Sequence, residues 1–273
     1  IIGMEAYITP WGRSMRDRDS ELDAKSAHLL LLARNQTGYK NLLKLASAAQ
    51  LEGYYRNPRI DHEFLAQHAD GLIATSGCLA AEIPRLVAEG REAEALERIG
   101  WYQDVFGRDN FFLELQHHDI EQLHTLNRWL LAHQRYAQVP LVATNDVHYV
   151  LAEDYDIHDT LLCIQTSSVK ADRNRLRFES QTFHLRSIPE MWELFHHVPE
   201  ALTNTLLIAE MCEVNLDSDG YHLPVFPVPE GFTPATYLRH LCERGLRWRY
   251  GARADEPALR GRLDYELHII HEM

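Results

Sequence analysis

No apolar run in this sequence approaches the roughly 18 residues that a membrane-crossing helix needs, and the first residues carry no secretory signal pattern. Cysteine is sparse: Cys78, Cys163, Cys212 and Cys242 lie far apart and form no CxxC pair. A chain of 273 residues is not a small disulfide scaffold, so a reducing cytoplasm is the expected setting. Basic residues are outnumbered, 27 Lys and Arg against 40 Asp and Glu, for a net charge of −13. That excludes a wholly basic nucleic-acid module, though not a local basic surface or a role beside a DNA-binding neighbour. Neither G-x-G-x-x-G nor G-x-x-x-x-G-K-[ST] occurs. Gly71 and Gly77 read as turn residues rather than a phosphate cradle. No Ser-His-Asp arrangement stands out.

What is present is ordinary globular material, 45% hydrophobic and 25% charged. This rules out disorder, collagen and coiled coil as the main description. The length fits two domains or one large α/β domain. Both ends fall inside elements. Ile1-Ile2-Gly3-Met4-Glu5 opens in a buried-strand pattern, and Glu266 to Met273 stops within an amphipathic helix. The expectation is an internal piece of a longer chain.

Residues 1–10 read as a strand and its exit, and short apolar runs at 26–33, 71–75, 111–115 and 141–144 read as further strands. Helical periodicity covers 38–50, 61–68, 81–89, 92–106, 120–136 and 153–164, with further helices near 189–196 and 199–212. The alternation predicts an α/β fold around a parallel sheet, with functional groups at the carboxyl ends of the strands. Arg13 to Lys25 reads as a charged, mobile loop. Leu223 to Gly231 holds three prolines and reads as a tether. Helices after Thr233 look like the entrance to a further domain. The expected organisation is a domain over 1–222, a linker over 223–232 and a helical segment over 233–273.

Asp146-Val147-His148 is the sharpest local signal. Alternate residues at a strand end point the same way, offering a carboxylate oxygen and an imidazole nitrogen together. That pair suits zinc, manganese or iron. Taken singly, Glu5, His28 and Cys78 each have an ordinary alternative: an ion pair, a satisfied strand histidine, a packed thiol. Glu114, inside an apolar strand, needs a buried partner and is a candidate to orient a ligand. Among sixteen histidines, the pairs His117-His118 and His196-His197 diverge from each other and read as surface. Cys163, Cys212 and Cys242 fall on helical patterns and read as core.

In order along the chain, IGMEAYI, HLLLLARN through GYKNLLKL, TSGCL, NFFLELQ, ATNDVHY and LPVFP resemble segments of one family. It is the C-family bacterial replicative DNA polymerases, the polymerase III alpha subunits, over their PHP (polymerase and histidinol phosphatase) domain. The resemblance implies a distorted (βα)7 barrel, here lacking its first strand or strands, followed by the helical start of the polymerase palm. It implies a cluster of up to three metal ions, with Glu5, His28, Cys78, Asp146 and His148 as the ligands on matching positions. The family's H-x-H strand and D-H loop lie upstream of Ile1, and the polymerase carboxylates with their Mg lie beyond Met273. No catalytic polymerase residue is therefore expected here. A barrel short of edge strands exposes backbone donors and apolar surface, which predicts marginal stability. The implied chemistry is metal-assisted 3′–5′ exonuclease or phosphoesterase cleavage, or a structural role in a DNA-synthesising parent. The implied partners are DNA, a sliding clamp and a proofreading exonuclease subunit, with no membrane. The competing readings are a stand-alone phosphoesterase resembling histidinol phosphatase and a metal-free scaffold. The LPVFPVPEG tether speaks against the former.

Overall fold

A computed structural model of the chain describes residues 1–23, 25–217, 220 and 223–273. They form two compact units, Ile1–Leu216 and Asp217–Met273. The first is an α/β unit built on a six-stranded sheet. Its strands are β1 (Gly3–Ile8), β2 (Ala27–Ala33), β3 (Arg59–Ile60), β4 (Leu72–Thr75), β5 (Phe111–Gln116) and β6 (Leu141–Thr144), in spatial order β3-β1-β2-β4-β5-β6. The helices are α1 (Gln36–Leu51), α2 (His62–Gln67), α3 (Glu82–Ala88), α4 (Glu92–Phe106), α5 (Glu121–Ala137), α6 (Tyr155–Gln165), α7 (Ile188–Phe195) and α8 (Pro199–Met211).

The sheet is mixed, which corrects the expectation of a parallel one. β2 runs antiparallel to both β1 and β4, while the other neighbours are parallel. The reason lies in the connection. The described residues between 9 and 26 contain no helix, and the chain returns directly beside β1 instead of crossing over the sheet. The reversal has a consequence for function. The amino end of β2 meets the carboxyl ends of its neighbours, so His28 at the start of β2 joins groups at the ends of β4 and β6.

The pleat sorts the side chains into two faces. Ala6, Ile8, Leu29 and Leu31 are buried on one, against helical residues such as Leu45, Ile99 and Leu130. On the other, Ile73, Phe112 and Val142 pack with Ile208 of α8, and Leu32 joins them. Farther along that face, toward the carboxyl ends, the layer turns polar: Thr75, Glu114, Gln116 and Thr144. Apolar burial at about 25 cal/mol per Å² fixes the first layers. The polar layer is where buried groups must find partners.

Side-chain oxygens cap two of the helix starts. Asp61 caps α2 by accepting from the Phe64 amide at 2.8 Å, and Asn35 caps α1 by accepting from Gly38 at 3.0 Å. The charged stretch after Pro10, expected to be mobile, is fastened instead. Arg59 is fully buried and donates to the carbonyls of Gly53, Met15, Asp17 and Asp23. Arg13 grips Asp23 with two hydrogen bonds of 2.9 and 2.8 Å.

The second unit holds α9 (Pro234–Tyr250) and α10 (Pro257–Glu272), joined by a 3₁₀ turn at Gly251–Asp255. Thr233 caps α9. Neither helix buries a side chain of its own, and their mutual contacts include an ion pair between Arg239 and Asp264 at 2.7 Å. Cys242, expected in a core, is accordingly only half-buried, as is Cys212, whereas Cys163 is buried.

Candidate metal centre

β1 and β2 lie in register with Tyr7 opposite His28 and Glu5 opposite Leu30, so Glu5, Tyr7 and His28 share one face. Glu5 reaches along the strand, and its Oε1 stands 2.7 Å from His28 Nδ1. Tyr7 sets its ring edge-on to the imidazole, 5.0 Å between centroids. Cys78 arrives from the end of β4. Its loop folds back along β2, with the His28 amide donating to Ala80 O at 3.2 Å and the Ala81 amide to Cys78 O at 2.9 Å. This brings Cys78 Sγ to 3.9 Å from His28 Nδ1.

The ligand atoms of Glu5, His28 and Cys78 all lie within 4.8 Å of one another, the one such group of three among the described residues. Carboxylate and thiol address the same ring nitrogen. A thiol activated by a relayed carboxylate needs the two partners on opposite nitrogens, so this is no nucleophilic triad. Three donors of mixed hardness converging on one point instead fit a divalent transition metal. The Cys78 thiol and the Glu5 carboxylate, the latter much the closer, raise His28 to a pKa of about 9. In return the His28 hydrogen bond holds Glu5 below the usual carboxylate range, against the cost of its burial, with the charges of His28 and His148 assisting.

Asp146 and His148 stand beyond β6 and outside that group of three. Asp146 adopts φ +44°, a left-handed conformation that turns the chain sharply after the strand. His148 Nδ1 donates to Asp146 O at 2.7 Å. A carbonyl only accepts, so this bond places the proton on Nδ1 and leaves Nε2 as the free lone pair. Burial pushes the Asp146 carboxyl above its ordinary value, and the negative charges of Glu114 and Glu5 add to this while His148 and His28 oppose it. Asp146 and His148 thus stand outside the Glu5–His28–Cys78 group while Asp146 feels the charges of Glu5 and His28, and Glu5 that of His148.

Beneath the site, Glu114 has the buried partners its position demanded. Thr75 and Thr144 each donate to its carboxylate at 2.5 Å, and Gln116 Nε2 donates at 2.9 Å.

Two groups escaped the sequence reading. His118, read as surface, is 1% exposed; it stacks on Phe183 at 4.0 Å and bonds Thr182 Oγ1 at 2.8 Å. Strand parity continued past Gln116 turns it inward, while His117 stays half-exposed. His158 of α6 flanks His148, their centroids 5.5 Å apart, and Phe178 lies against both rings. No local pattern marked His158. Its place depends on where α6 docks.

Comparison with known proteins agrees with the reading of the segments. Residues 1–118 match the PHP domain family. The whole chain is 42% identical to the DNA polymerase III subunit alpha of Treponema pallidum, covering 23% of that protein. Identity is 43% to the corresponding subunit of Borreliella burgdorferi over 99% of this chain, and 43% to that of Thermus aquaticus over 95%. The chain thus spans under a quarter of the length of these relatives. With a PHP match over residues 1–118, which bring Glu5, His28 and Cys78 together, and similarity from end to end, this chain is similar to the DNA polymerase III alpha subunits.

Proposed function

We propose that Glu5, His28, Cys78, Asp146 and His148 form part of a PHP metal centre for phosphoester cleavage, belonging to a DNA-synthesising polymerase. The convergence of carboxylate, imidazole and thiol within 4.8 Å carries this reading. Zinc, manganese and iron suit the donor set. A divalent ion bound there supplies Lewis acidity toward phosphoryl oxygens and lowers the pKa of water. The chain's own task is to hold and orient. Glu5, His28 and Cys78 are fixed by the sheet, His148 offers Nε2 because Nδ1 is engaged, and Glu114 braces β4, β5 and β6 below.

In this reading the sheet is the larger part of a distorted (βα)7 barrel. The PHP domain runs over 1–222, a linker over 223–232, and 233–273 leads toward the polymerase palm, whose Mg site lies outside this chain. The parent acts on DNA in the bacterial cytoplasm alongside a sliding clamp and a proofreading subunit, and the PHP site removes nucleotides from 3′ ends.

The test uses the full-length protein: bound metal by elemental analysis, and 3′–5′ cleavage of single-stranded DNA. Loss of cleavage in His28→Ala and His148→Ala, with bound metal lowered in each and polymerisation retained, is the expected result. Wild-type protein with no metal and no cleavage, still polymerising, would reduce the domain to a scaffold.

A further inference from the structure

The five proposed ligands differ in what holds them. Glu5 and His28 sit on paired strands, and Cys78 on a loop stitched to β2. Asp146 and His148 sit on a turn that leaves the sheet, with Asp146 in a left-handed conformation that needs outside support. That support is a strap at residues 180–185. The His148 amide donates to Phe183 O at 2.8 Å, the Leu185 amide to Tyr149 O at 3.0 Å, and the Phe183 amide to Tyr149 Oη at 3.2 Å. One side chain ties the turn and strap together from within. Asn145, 6% exposed and adjacent to Asp146, donates through Nδ2 to Thr182 O at 3.2 Å and His184 O at 2.6 Å. His118 braces the strap from the β5 side, stacked on Phe183 and bonded to Thr182.

The geometry points to Asn145 as a positioning residue, which fastens the 180–185 strap to the Asp146–His148 turn and so sets where those two ligands stand. The inference rests on the metal-centre reading above. The amide suits this position because both partners are carbonyls and its NH2 group supplies the two donors that the tie needs. An aspartate of the same shape would face those oxygens with its own lone pairs. Orienting groups of this kind tune metal affinity by roughly 10–100-fold.

The experiment compares Asn145→Ala and Asn145→Asp with His148→Ala in the full-length protein, using two readouts. The first is cobalt(II) titration followed optically, in which a thiolate-to-cobalt band reports the ion at Cys78. Both Asn145 variants should keep that band and lose the cobalt uptake that His148→Ala also loses. The double variant Asn145→Ala/His148→Ala should lose little beyond His148→Ala alone. The second readout needs no metal. Amide exchange at His148 and Leu185 should quicken by about tenfold or more in Asn145→Ala, with β1 and β2 unchanged. Unchanged exchange at those amides, or losses that add in the double variant, would overturn the inference. A wild type that takes up no cobalt would sink the metal-centre reading, and the exchange data would still decide the role of Asn145.

Discussion

Asp23 shows how much one buried carboxylate can do in a stretch that reads as loose and charged. It has no exposed surface, and it accepts two hydrogen bonds from Arg13 and one from the Asp19 amide at 2.6 Å. The Arg13 bond outweighs burial and lowers its pKa from 3.8 to about 2. A depressed carboxylate pKa contributes stability that is full above the unfolded-state value and lost as pH falls through the folded value. Asp23→Asn should therefore lower the urea midpoint at pH 6, and the gap from wild type should close between pH 4 and pH 2. A gap that stays constant to pH 2 would mean that the charge of Asp23 is not what fastens the loop. None of this was visible in the residue string. Its partners, Arg13 and Arg59, lie 10 and 36 residues away, and only the fold decides that Arg59 is buried. Glu114 was legible for the opposite reason. A carboxylate flanked by Phe112, Leu113 and Leu115 on a strand must meet donors, and the strand pairing supplies Thr75 and Thr144.

At the scale of elements, α1 and α4 each contain a glycine, and the two have opposite meanings. Gly38, in the first turn of α1, lies against Gly71, where a Cβ would fall 1.8 Å from the Gly71 carbonyl oxygen. Gly71 itself has φ +72°. Backbone cannot step aside as a flexible side chain can, so Gly38→Ala should destabilise by about 2 kcal/mol or more, in the range of overpacked cores. Gly100, inside α4, has nothing within 4 Å of its Cβ position. There alanine gains helix propensity, and Gly100→Ala should stabilise by about 0.5–1 kcal/mol. Chemical denaturation of the two variants tests the pair, and equal signs would refute the packing argument. Helix and strand positions were largely readable because their periodicity is local. The direction of β2 was not. It depends on the connection between β1 and β2, which carries no helical periodicity and whose described residues form no helix, and on that direction hangs the meeting of His28 with Cys78. The two-residue strand β3 is too short to leave a pattern. The left-handed turn at Asp146 shows in the sequence only as the string ATNDVHY, and its strap at 180–185 lies some 35 residues on.

At the scale of the whole molecule, the described residues divide after Leu216, before the proline-rich stretch that was read as a tether over 223–231. What composition said about partners rests on charge, and the structure sharpens it. The chain carries −13, and many of its cations are already engaged: Arg13 with Asp23, Arg91 with Glu94, Arg175 with Asp159, Lys170 with Asp156, Arg253 with Glu256, Arg260 with Asp255. Binding to nucleic acid draws on counterion release by cations free to meet phosphates, and affinity then falls with salt as roughly the number of such contacts. A surface whose cations are paired and whose net field is negative offers few contacts and repels the approaching strand. These 273 residues alone should show no anisotropy change with a labelled single-stranded oligonucleotide at about 10 μM protein and about 0.15 M salt, conditions under which the tighter basic non-specific binders are mostly bound. Binding in that range, with a steep salt slope, would show a basic track that the ion pairs conceal, and would place DNA capture within this chain. Its absence would place the holding of DNA outside this chain and, on the function proposed above, leave the metal centre to act on a strand delivered to it.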